Sequence, residues 1–144
     1  MVYRLTDIDN AMTERIGQLL NSLRSVPVTI DEAFLERLLS DDRFNLFIAE
    51  DDSKMVMGML TITSCPTLAG EKVWIEDVIV DEKFRGQGVG RALLRAAVEF
   101  AHKELKTQAV YLTSNPSRVQ ARSLYRSEGF EEYETGVFRI KNLD

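Results

Sequence analysis

The sequence is poor in the side chains that most often hold metals or form cross-links. It contains one cysteine, Cys65, and one histidine, His102. A single cysteine excludes an internal disulfide and a zinc site built from clustered cysteines. With a single histidine as well, we expect neither a bound metal nor a Cys–His nucleophile pair.

The sequence also has no hydrophobic run long enough to cross a membrane. Its longest stretch without a charged residue, residues 55–70, has 16 residues, whereas a membrane-spanning helix needs about 20. The first seven residues show no apolar core of a secretory signal. We therefore expect a cytoplasmic protein without a membrane partner.

Positive charge is in deficit. Lysine and arginine number 18 against 23 aspartate and glutamate residues, which gives a net charge of −5. General nucleic-acid binding needs clustered positive charge to replace the counterions of the phosphates, so we expect no nucleic-acid partner. An acidic balance instead suits solubility and a cationic partner.

What is present is typical of one globular domain. The 144 residues include 44% hydrophobic and 28% charged residues, proportions that are too apolar for a disordered chain. No repeat, low-complexity tract or linker rich in proline, glycine and serine divides the sequence. We therefore predict a single domain over residues 1–144.

The hydrophobic pattern alternates between strand-like and helix-like segments. Two helical patterns follow a short first strand, and three strand patterns follow them, of which the last, residues 72–80, is very apolar. Beyond it, helices and strands alternate and end in two predicted strands at residues 130–133 and 137–140. Hairpins combined with β-α-β crossovers predict an α/β (mixed α+β) fold with helices on both faces of a mixed sheet.

Residues 85–91, with the sequence Arg-Gly-Gln-Gly-Val-Gly-Arg, form the most informative segment. They lie between the apolar strand and an amphipathic helix. Glycines allow backbone N–H groups to turn toward a ligand, and the helix adds its own unpaired N–H groups and positive dipole end. This combination favours binding of a pyrophosphate.

Two other phosphate-binding motifs fit this segment poorly. A P-loop needs Gly-Lys followed by serine or threonine, whereas Gly90 precedes Arg91 and Ala92. A dinucleotide-binding Gly-x-Gly-x-x-Gly pattern that began at Gly86 would need its third glycine at position 91. The remaining alternative is a turn that needs glycines for geometry alone, and it does not account for the flanking arginines.

The segment resembles the acetyl-CoA-binding loop of the GNAT superfamily of acyl-CoA N-acyltransferases. The pattern of that loop, Arg/Gln-x-x-Gly-x-Gly/Ala, is matched by Arg85, Gly88 and Gly90. Residues 75–81 are similar to the fourth strand of the family, and residues 121–130 resemble its Ala-x-x-Leu-Tyr-x-x-x-Gly-Phe segment. The resemblance implies a GNAT-like, mostly antiparallel sheet of about seven strands with about four helices, splayed between the fourth and fifth strands.

The resemblance also implies a position for the acyl donor, acetyl-CoA. Backbone N–H groups of the loop would bind the CoA pyrophosphate, and the pantetheine arm would pair with the fourth strand, where Val78 or Ile79 would donate to the oxyanion. Arg118 stands where many members carry asparagine, and it could meet a CoA carbonyl or phosphate. The implied cofactor-binding residues are Val78, Ile79, Val80, Arg85, Gly86, Gln87, Gly88, Val89, Gly90, Arg91 and Arg118.

Two side chains are candidates for proton transfer. Tyr125 matches the usual general acid of the family, and a phenol with a pKa of about 10 is protonated at neutral pH. Glu76, in an apolar strand, is the candidate base, or it attracts an ammonium substrate. Strand alternation places Asp77 on the opposite face unless a bulge intervenes. The alternatives are a core aromatic for Tyr125 and a salt-bridged carboxylate for Glu76.

These observations predict an acetyl-CoA-dependent N-acetyltransferase that transfers the acetyl group directly to a primary amine of a small molecule or peptide, in a ternary complex. The departure at Arg118 leaves open a non-catalytic acyl-CoA sensor or docking domain of the same fold. A nucleotide-phosphate binder unrelated to CoA is a third alternative. The sequence does not specify the amine acceptor, and it is compatible with a homodimer formed through sheet edges.

Overall fold

The structure is a computed structural model that describes residues 1–143. Among these residues, no helix is long and apolar enough to cross a membrane. The elements of the described chain are β1 (Val2–Arg4), α1 (Asn10–Asn21), α2 (Glu32–Leu39), β2 (Phe44–Glu50), β3 (Val56–Thr67), β4 (Gly70–Val80), α3 (Val89–Lys103), β5 (Val110–Tyr111) and α4 (Val119–Ser127). A 3-10 turn, Glu82–Phe84, joins β4 to α3.

The strands form one sheet in the order β1-β2-β3-β4-β5. Neighbours from β1 to β4 are antiparallel, whereas β5 is parallel to β4 and pairs only through Val73 opposite Val110 and Trp74 opposite Tyr111. From residue 75 to residue 80, the second edge of β4 has no strand beside it among the described residues. The predicted splay between the fourth and fifth strands is therefore confirmed, and it opens a cleft beside β4.

Helices cover both faces of the sheet, which is why its strands are apolar on both sides. Along β2, Phe47 and Ala49 belong to the core that contains α3, while Leu46 and Ile48 belong to the core that contains α1 and α2. The prediction of a mixed α/β fold is confirmed. Helix α3 contributes a stripe of buried residues to the first core: Val89, Leu93, Leu94, Ala97 and Ala101.

Two aspartates fix where the first two helices begin. Asp9 accepts a hydrogen bond from the N–H of Met12 at 2.7 Å, and Asp31 accepts one from the N–H of Phe34 at 2.8 Å. These contacts satisfy N–H groups that the first turns of α1 and α2 leave without intrahelical partners.

The predicted strands at residues 130–133 and 137–140 are wrong, so the described chain has five strands rather than about seven. Alternating apolar residues form a strand only where a neighbouring edge can pair with them. β5 offers an edge of two residues. Glu132 instead accepts hydrogen bonds from Arg122 and Arg126 of α4. Side-chain contacts to α4 therefore replace backbone pairing with β5.

Gly58 of β3 allows the end of β4 to lie close to α3. A Cβ atom added to Gly58 would lie 2.7 Å from the carbonyl oxygen of Ile79 and 3.3 Å from Cδ1 of Leu93. We expect Gly58→Ala to lower the free energy of unfolding by about 1–3 kcal/mol, the usual cost of overpacking. Urea denaturation measures this change.

Gly17→Ala is the matched control, because Gly17 lies within α1 and a Cβ there would meet Ile30 at an ordinary 3.6 Å. Alanine stabilises a helix interior by about 0.5–1 kcal/mol relative to glycine. The control should therefore be as stable as the natural chain or more so. A Gly58→Ala variant of unchanged stability would contradict the close packing of β3, β4 and α3.

Candidate functional site

Two glycines in the loop between β4 and α3 have backbone angles that other residues rarely adopt. Gly86 has a φ of +76°, and Gly88, which caps α3, has a φ of +81°. No atom lies within 4 Å of a Cβ added at either position. Backbone conformation, and not crowding, therefore requires glycine here, and it sets the direction in which α3 begins.

The loop leaves a row of unpaired backbone donors. Among the described residues, no protein acceptor takes the N–H groups of residues 86–91. The next N–H, that of Ala92, donates to the carbonyl oxygen of Gly88 at 3.0 Å. Unpaired N–H groups at a helix N-terminus carry partial positive charge and bind anions, above all phosphate groups.

This loop lines a cleft of about 830 Å³. Val78 and Val80 line it on the side of β4, and Leu124 and Tyr125 line it on the side of α4. Helix α4 approaches the first turn of α3 closely, since a Cβ added to Gly90 would lie 3.0 Å from Cδ2 of Leu124. The cleft therefore lies between the splayed strand and the two helices.

β4 also presents backbone groups to this cleft. The N–H of Asp81 donates to the carbonyl oxygen of Met57 on the β3 side, at 2.8 Å. Successive residues of a strand direct their N–H groups to opposite edges, so the N–H of Val80 is directed away from β3. An extended molecule can pair with this open edge as an added strand.

Arg85 and Arg91 flank the loop, but their guanidinium groups contact protein atoms. Nε of Arg85 donates to the carbonyl oxygen of Val80 at 3.3 Å. Arg91 forms an ion pair with Glu128 at the end of α4, and Arg95 binds the same carboxylate at 2.8 Å. The hydrogen bonds from Arg95 and Arg91 hold the pKa of Glu128 below its ordinary value. These contacts fasten α4 to α3 and leave the backbone of Arg91 available.

β4 contains a bulge at the candidate base. Thr61 pairs with Glu76 and Met59 pairs with Ile79, so β4 has one more residue than β3 between these pairs. Asp77, inside the bulge, has a φ of +51° in the left-handed region. The hydroxyl of buried Thr61 donates to Oδ2 of Asp77 at 2.9 Å. A hydrogen bond from the neighbouring strand thus holds a backbone conformation that would otherwise be strained.

The bulge brings Asp77 to the same cavity as Glu76, which simple strand alternation would not do. Both carboxylates line a cavity of about 210 Å³. Val78, Arg118 and Tyr125 line both this cavity and the larger cleft. The two spaces therefore meet at these residues.

The surroundings change the proton affinity of both candidate catalytic groups. Tyr125 is 5% exposed, and burial raises the pKa of its phenol, while the positive charge of Arg118 acts in the opposite direction. Glu76 keeps an exposed surface, yet partial burial of its carboxylate and then the charge of Asp77 raise its pKa. The phenol is therefore protonated at neutral pH. Among residues 1–143, no three His, Cys, Asp or Glu side chains are grouped so as to hold a metal ion.

Most residues predicted to bind the cofactor line the larger cleft. The exceptions are Gln87, whose side chain donates to the carbonyl oxygen of Lys83, and Ile79, which packs in the core that contains α1. Glu76 lines the smaller cavity. Contact of these residues with a ligand stays a prediction. Those that line the cleft are Val78, Val80, Arg85, Gly86, Gly88, Val89, Gly90, Arg91 and Arg118, together with Tyr125.

Three further residues contribute to the site without occupying a specified position of a sequence motif. Thr61 holds the bulge, Glu128 fastens α4 to α3, and Arg24 lines the smaller cavity from the segment that follows α1. Each of these residues meets groups that are distant from it in the sequence. No local pattern could therefore have indicated these contacts.

The sequence matches the family model described as Acetyltransferase (GNAT) family over residues 12–130. The chain therefore belongs to this family, and the predicted resemblance is confirmed. It is 32% identical over 96 residues to N-acetyltransferase 8B of Homo sapiens, a match that covers 65% of this chain and 41% of that protein. It is 28% identical over 137 residues to an N-alpha-acetyltransferase of Sulfurisphaera tokodaii, covering 90% of this chain and 77% of that protein.

Solved structures share this fold. An aminoglycoside acetyltransferase from an uncultured soil metagenomic sample aligns with a TM-score of 0.86 and 23% sequence identity. The alignment covers 100% of this chain and 96% of the other. At this identity the likeness establishes the fold alone.

A double-mutant cycle tests the hydrogen bond between Thr61 and Asp77. Thr61→Val removes the donor at nearly constant volume, and Asp77→Ala removes the acceptor. We expect both variants to lower the free energy of unfolding, with a coupling of about 1 kcal/mol, the net value of one hydrogen bond at a partly exposed site. Urea denaturation of the single and double variants measures the coupling.

Asp77→Asn is the matched control for this cycle. Asparagine keeps an acceptor oxygen and tolerates a positive φ, so the stability should change little. Strictly additive losses in the Thr61→Val and Asp77→Ala variants would show that the hydroxyl does not hold the bulge.

Proposed function

We propose that this chain is an acetyl-CoA-dependent N-acetyltransferase that transfers the acetyl group directly to a primary amine in a ternary complex. The observation that carries the proposal is the row of free N–H groups at residues 86–91, beside a cleft that meets a carboxylate-lined cavity at Tyr125. The cleft suits a cofactor that contains a diphosphate, and the cavity suits an amine. Family membership and relatives named as N-acetyltransferases support the same activity.

The residues of the cleft fit acetyl-CoA. The N–H groups of residues 86–91 would bind its diphosphate, because they combine free donors with the positive end of a helix dipole. The open edge of β4, including the N–H of Val80, would pair with the amide groups of the pantetheine arm. Arg118 would contact a cofactor carbonyl or phosphate from the junction of the two spaces. When bound, acetyl-CoA supplies an acetyl group activated as a thioester.

Glu76 would act on the acceptor. An ammonium group has to lose a proton before its nitrogen can attack a carbonyl carbon. Glu76 would take this proton, directly or through a water molecule, because it lines the cavity next to Val78. Its raised pKa makes the carboxylate a stronger base than an ordinary glutamate. Asp77 adds negative charge that attracts a cationic acceptor.

Tyr125 would act on the leaving sulfur. Its hydroxyl donates no hydrogen bond to a protein atom among the described residues, and its phenol is held protonated by burial. A thiol has a pKa of about 8.5, below that of this phenol. Tyr125 therefore stabilises the departing thiolate chiefly by donating a hydrogen bond. The backbone N–H of Val78 would donate to the acyl oxygen as that oxygen gains negative charge. Ile79 lies two residues before Asp81 and pairs with Met59, so its own N–H is directed toward β3 and not into the cleft.

The acceptor is proposed to be a small amine-bearing molecule or a peptide amine. One structural neighbour is named as an aminoglycoside acetyltransferase and one sequence relative as an N-alpha-acetyltransferase. The carboxylates of the smaller cavity suit either kind of amine. A homodimer and a cytoplasmic location stay predictions from the sequence.

A non-catalytic acyl-CoA sensor or docking domain is a second candidate function. Arg118, where the resembling proteins often carry asparagine, is the observation that favours it. A sensor would bind acetyl-CoA without releasing CoA to any amine. The two candidates therefore differ in turnover and not in binding.

Calorimetry with acetyl-CoA and a CoA-release assay with a panel of amines test the proposal. We expect a Kd on the order of 10 μM and release of CoA with at least one amine. Tyr125→Phe removes the hydroxyl but keeps a buried ring, so kcat should fall about 100-fold while the Kd of acetyl-CoA changes little.

Tyr133→Phe is the matched control, because Tyr133 is 70% exposed, and it should keep full turnover. No binding of acetyl-CoA at high micromolar concentration would contradict the proposal. Binding without CoA release by any amine would instead support the sensor. Unchanged kcat in Tyr125→Phe would remove this residue from the chemistry and leave the function standing.

The pH dependence of turnover tests the role of Glu76. Because its pKa is raised, the carboxylate loses its proton at a higher pH than an ordinary glutamate, and kcat should rise with pH through that raised pKa. Glu76→Gln should lower kcat and shift this rising limb, whereas Glu71→Gln, at an exposed position near the start of β4, should leave it in place. An unchanged limb in Glu76→Gln would exclude Glu76 as the base.

A further inference from the structure

The smaller cavity carries charges of both signs. Glu76 and Asp77 line it from β4, and Arg24 lines it from the segment that follows α1. Arg118 also lines the larger cleft, so it is shared with the cofactor side. Among the described residues, two arginines line the smaller cavity, and of these two Arg24 does not line the larger cleft.

The backbone around Arg24 is fixed by local hydrogen bonds. The N–H of Arg24 donates to the carbonyl oxygen of Asn21, and its Nε donates to the carbonyl oxygen of Val26, both at 3.3 Å. The amide side chain of Asn21 binds both the carbonyl oxygen and the N–H of Val28, at 2.9 and 2.8 Å. These hydrogen bonds fix the segment to the end of α1. Arg24 therefore lines the cavity from a turn whose backbone is hydrogen-bonded.

The terminal nitrogens of Arg24 keep their donors for a ligand. Within residues 1–143, neither Nη atom donates to a protein acceptor, and no ion pair joins Arg24 to Glu76 or Asp77. Opposite charges thus line one cavity without neutralising each other. A ligand with a cationic and an anionic group would satisfy both walls at once.

We propose that the acceptor is an amphoteric small molecule, an amine that also carries a carboxylate or a phosphate. Its amine would lie at Glu76 and Asp77, near the junction with the cofactor cleft at Tyr125, and its anionic group would be recognised by Arg24. The cavity of about 210 Å³ is below the roughly 300–1,000 Å³ of sites for drug-sized ligands, which suits a molecule the size of a free amino acid. This inference rests on the proposed N-acetyltransferase activity.

Matched pairs of acceptors test the inference in the CoA-release assay. Amino acids are compared with their carboxamides, and O-phosphoethanolamine is compared with ethanolamine, so that the pairs separate a carboxylate from a phosphate. We expect kcat/KM to favour the anionic member of one of these pairs by about tenfold or more. Amidation lowers the pKa of the neighbouring amine, which by itself would favour the amide, so a preference for the carboxylate cannot come from amine reactivity.

Variants of Arg24 assign the preference to this side chain. Arg24→Gln should raise the KM of the anionic acceptor about tenfold and bring the ratio within the pair close to one, without changing the KM of acetyl-CoA. Arg24→Lys should retain part of the preference, because it keeps the charge but loses the fork geometry. Arg37→Gln, at an exposed position on α2, is the control and should behave like the natural chain.

Three outcomes would overturn the inference. Equal kcat/KM within every pair, a preference that survives Arg24→Gln, or spermidine as the best acceptor would each show that Arg24 does not recognise an anionic group. In all three cases amines are acetylated, so the proposed function stands. If no amine releases CoA, both the proposed function and this inference fail.

Discussion

The row of unsatisfied N–H groups from residue 86 to residue 91 is the constraint on which the rest of the structure depends. Donors without protein partners are tolerated only where solvent or a ligand reaches them, so this end of α3 has to stay open. Two glycines with positive φ turn the chain into α3 without placing a side chain over these donors. Leu124 meets the first turn at Gly90, and Glu128 binds two arginines of α3, so α4 lies beside the donors.

The open edge of β4 follows from the same requirement. Pairing with β5 ends at Trp74, and the backbone beyond it faces the cleft. Exposed strand edges can pair with other chains, so this edge has to be short and interrupted by an irregularity. The bulge at Asp77 limits its regular part, and Thr61 holds the bulge from within the core. β4 therefore pairs with β3 along one edge and lines the candidate site along its other edge.

Local patterns predict much of this arrangement from the sequence. The loop at residues 85–91 is encoded by consecutive residues, so glycine geometry and the start of α3 together account for its conformation and its free donors. The final strands at residues 130–133 and 137–140 were not predictable, because alternation does not reveal whether an edge is available to pair with. The bulge and the position of Arg24 depend on contacts between distant segments. Sequence patterns therefore indicate the larger cleft better than the smaller cavity.

The most direct test of the account is an amide ¹H–¹⁵N NMR titration of the natural chain with CoA. If the free donors of residues 86–91 bind the diphosphate, their amide protons should show the largest downfield shifts, and acetyl-pantetheine, which lacks the diphosphate, should not reproduce them. Unchanged amide signals at residues 86–91 under saturating CoA, with shifts confined to another part of the chain, would contradict the account.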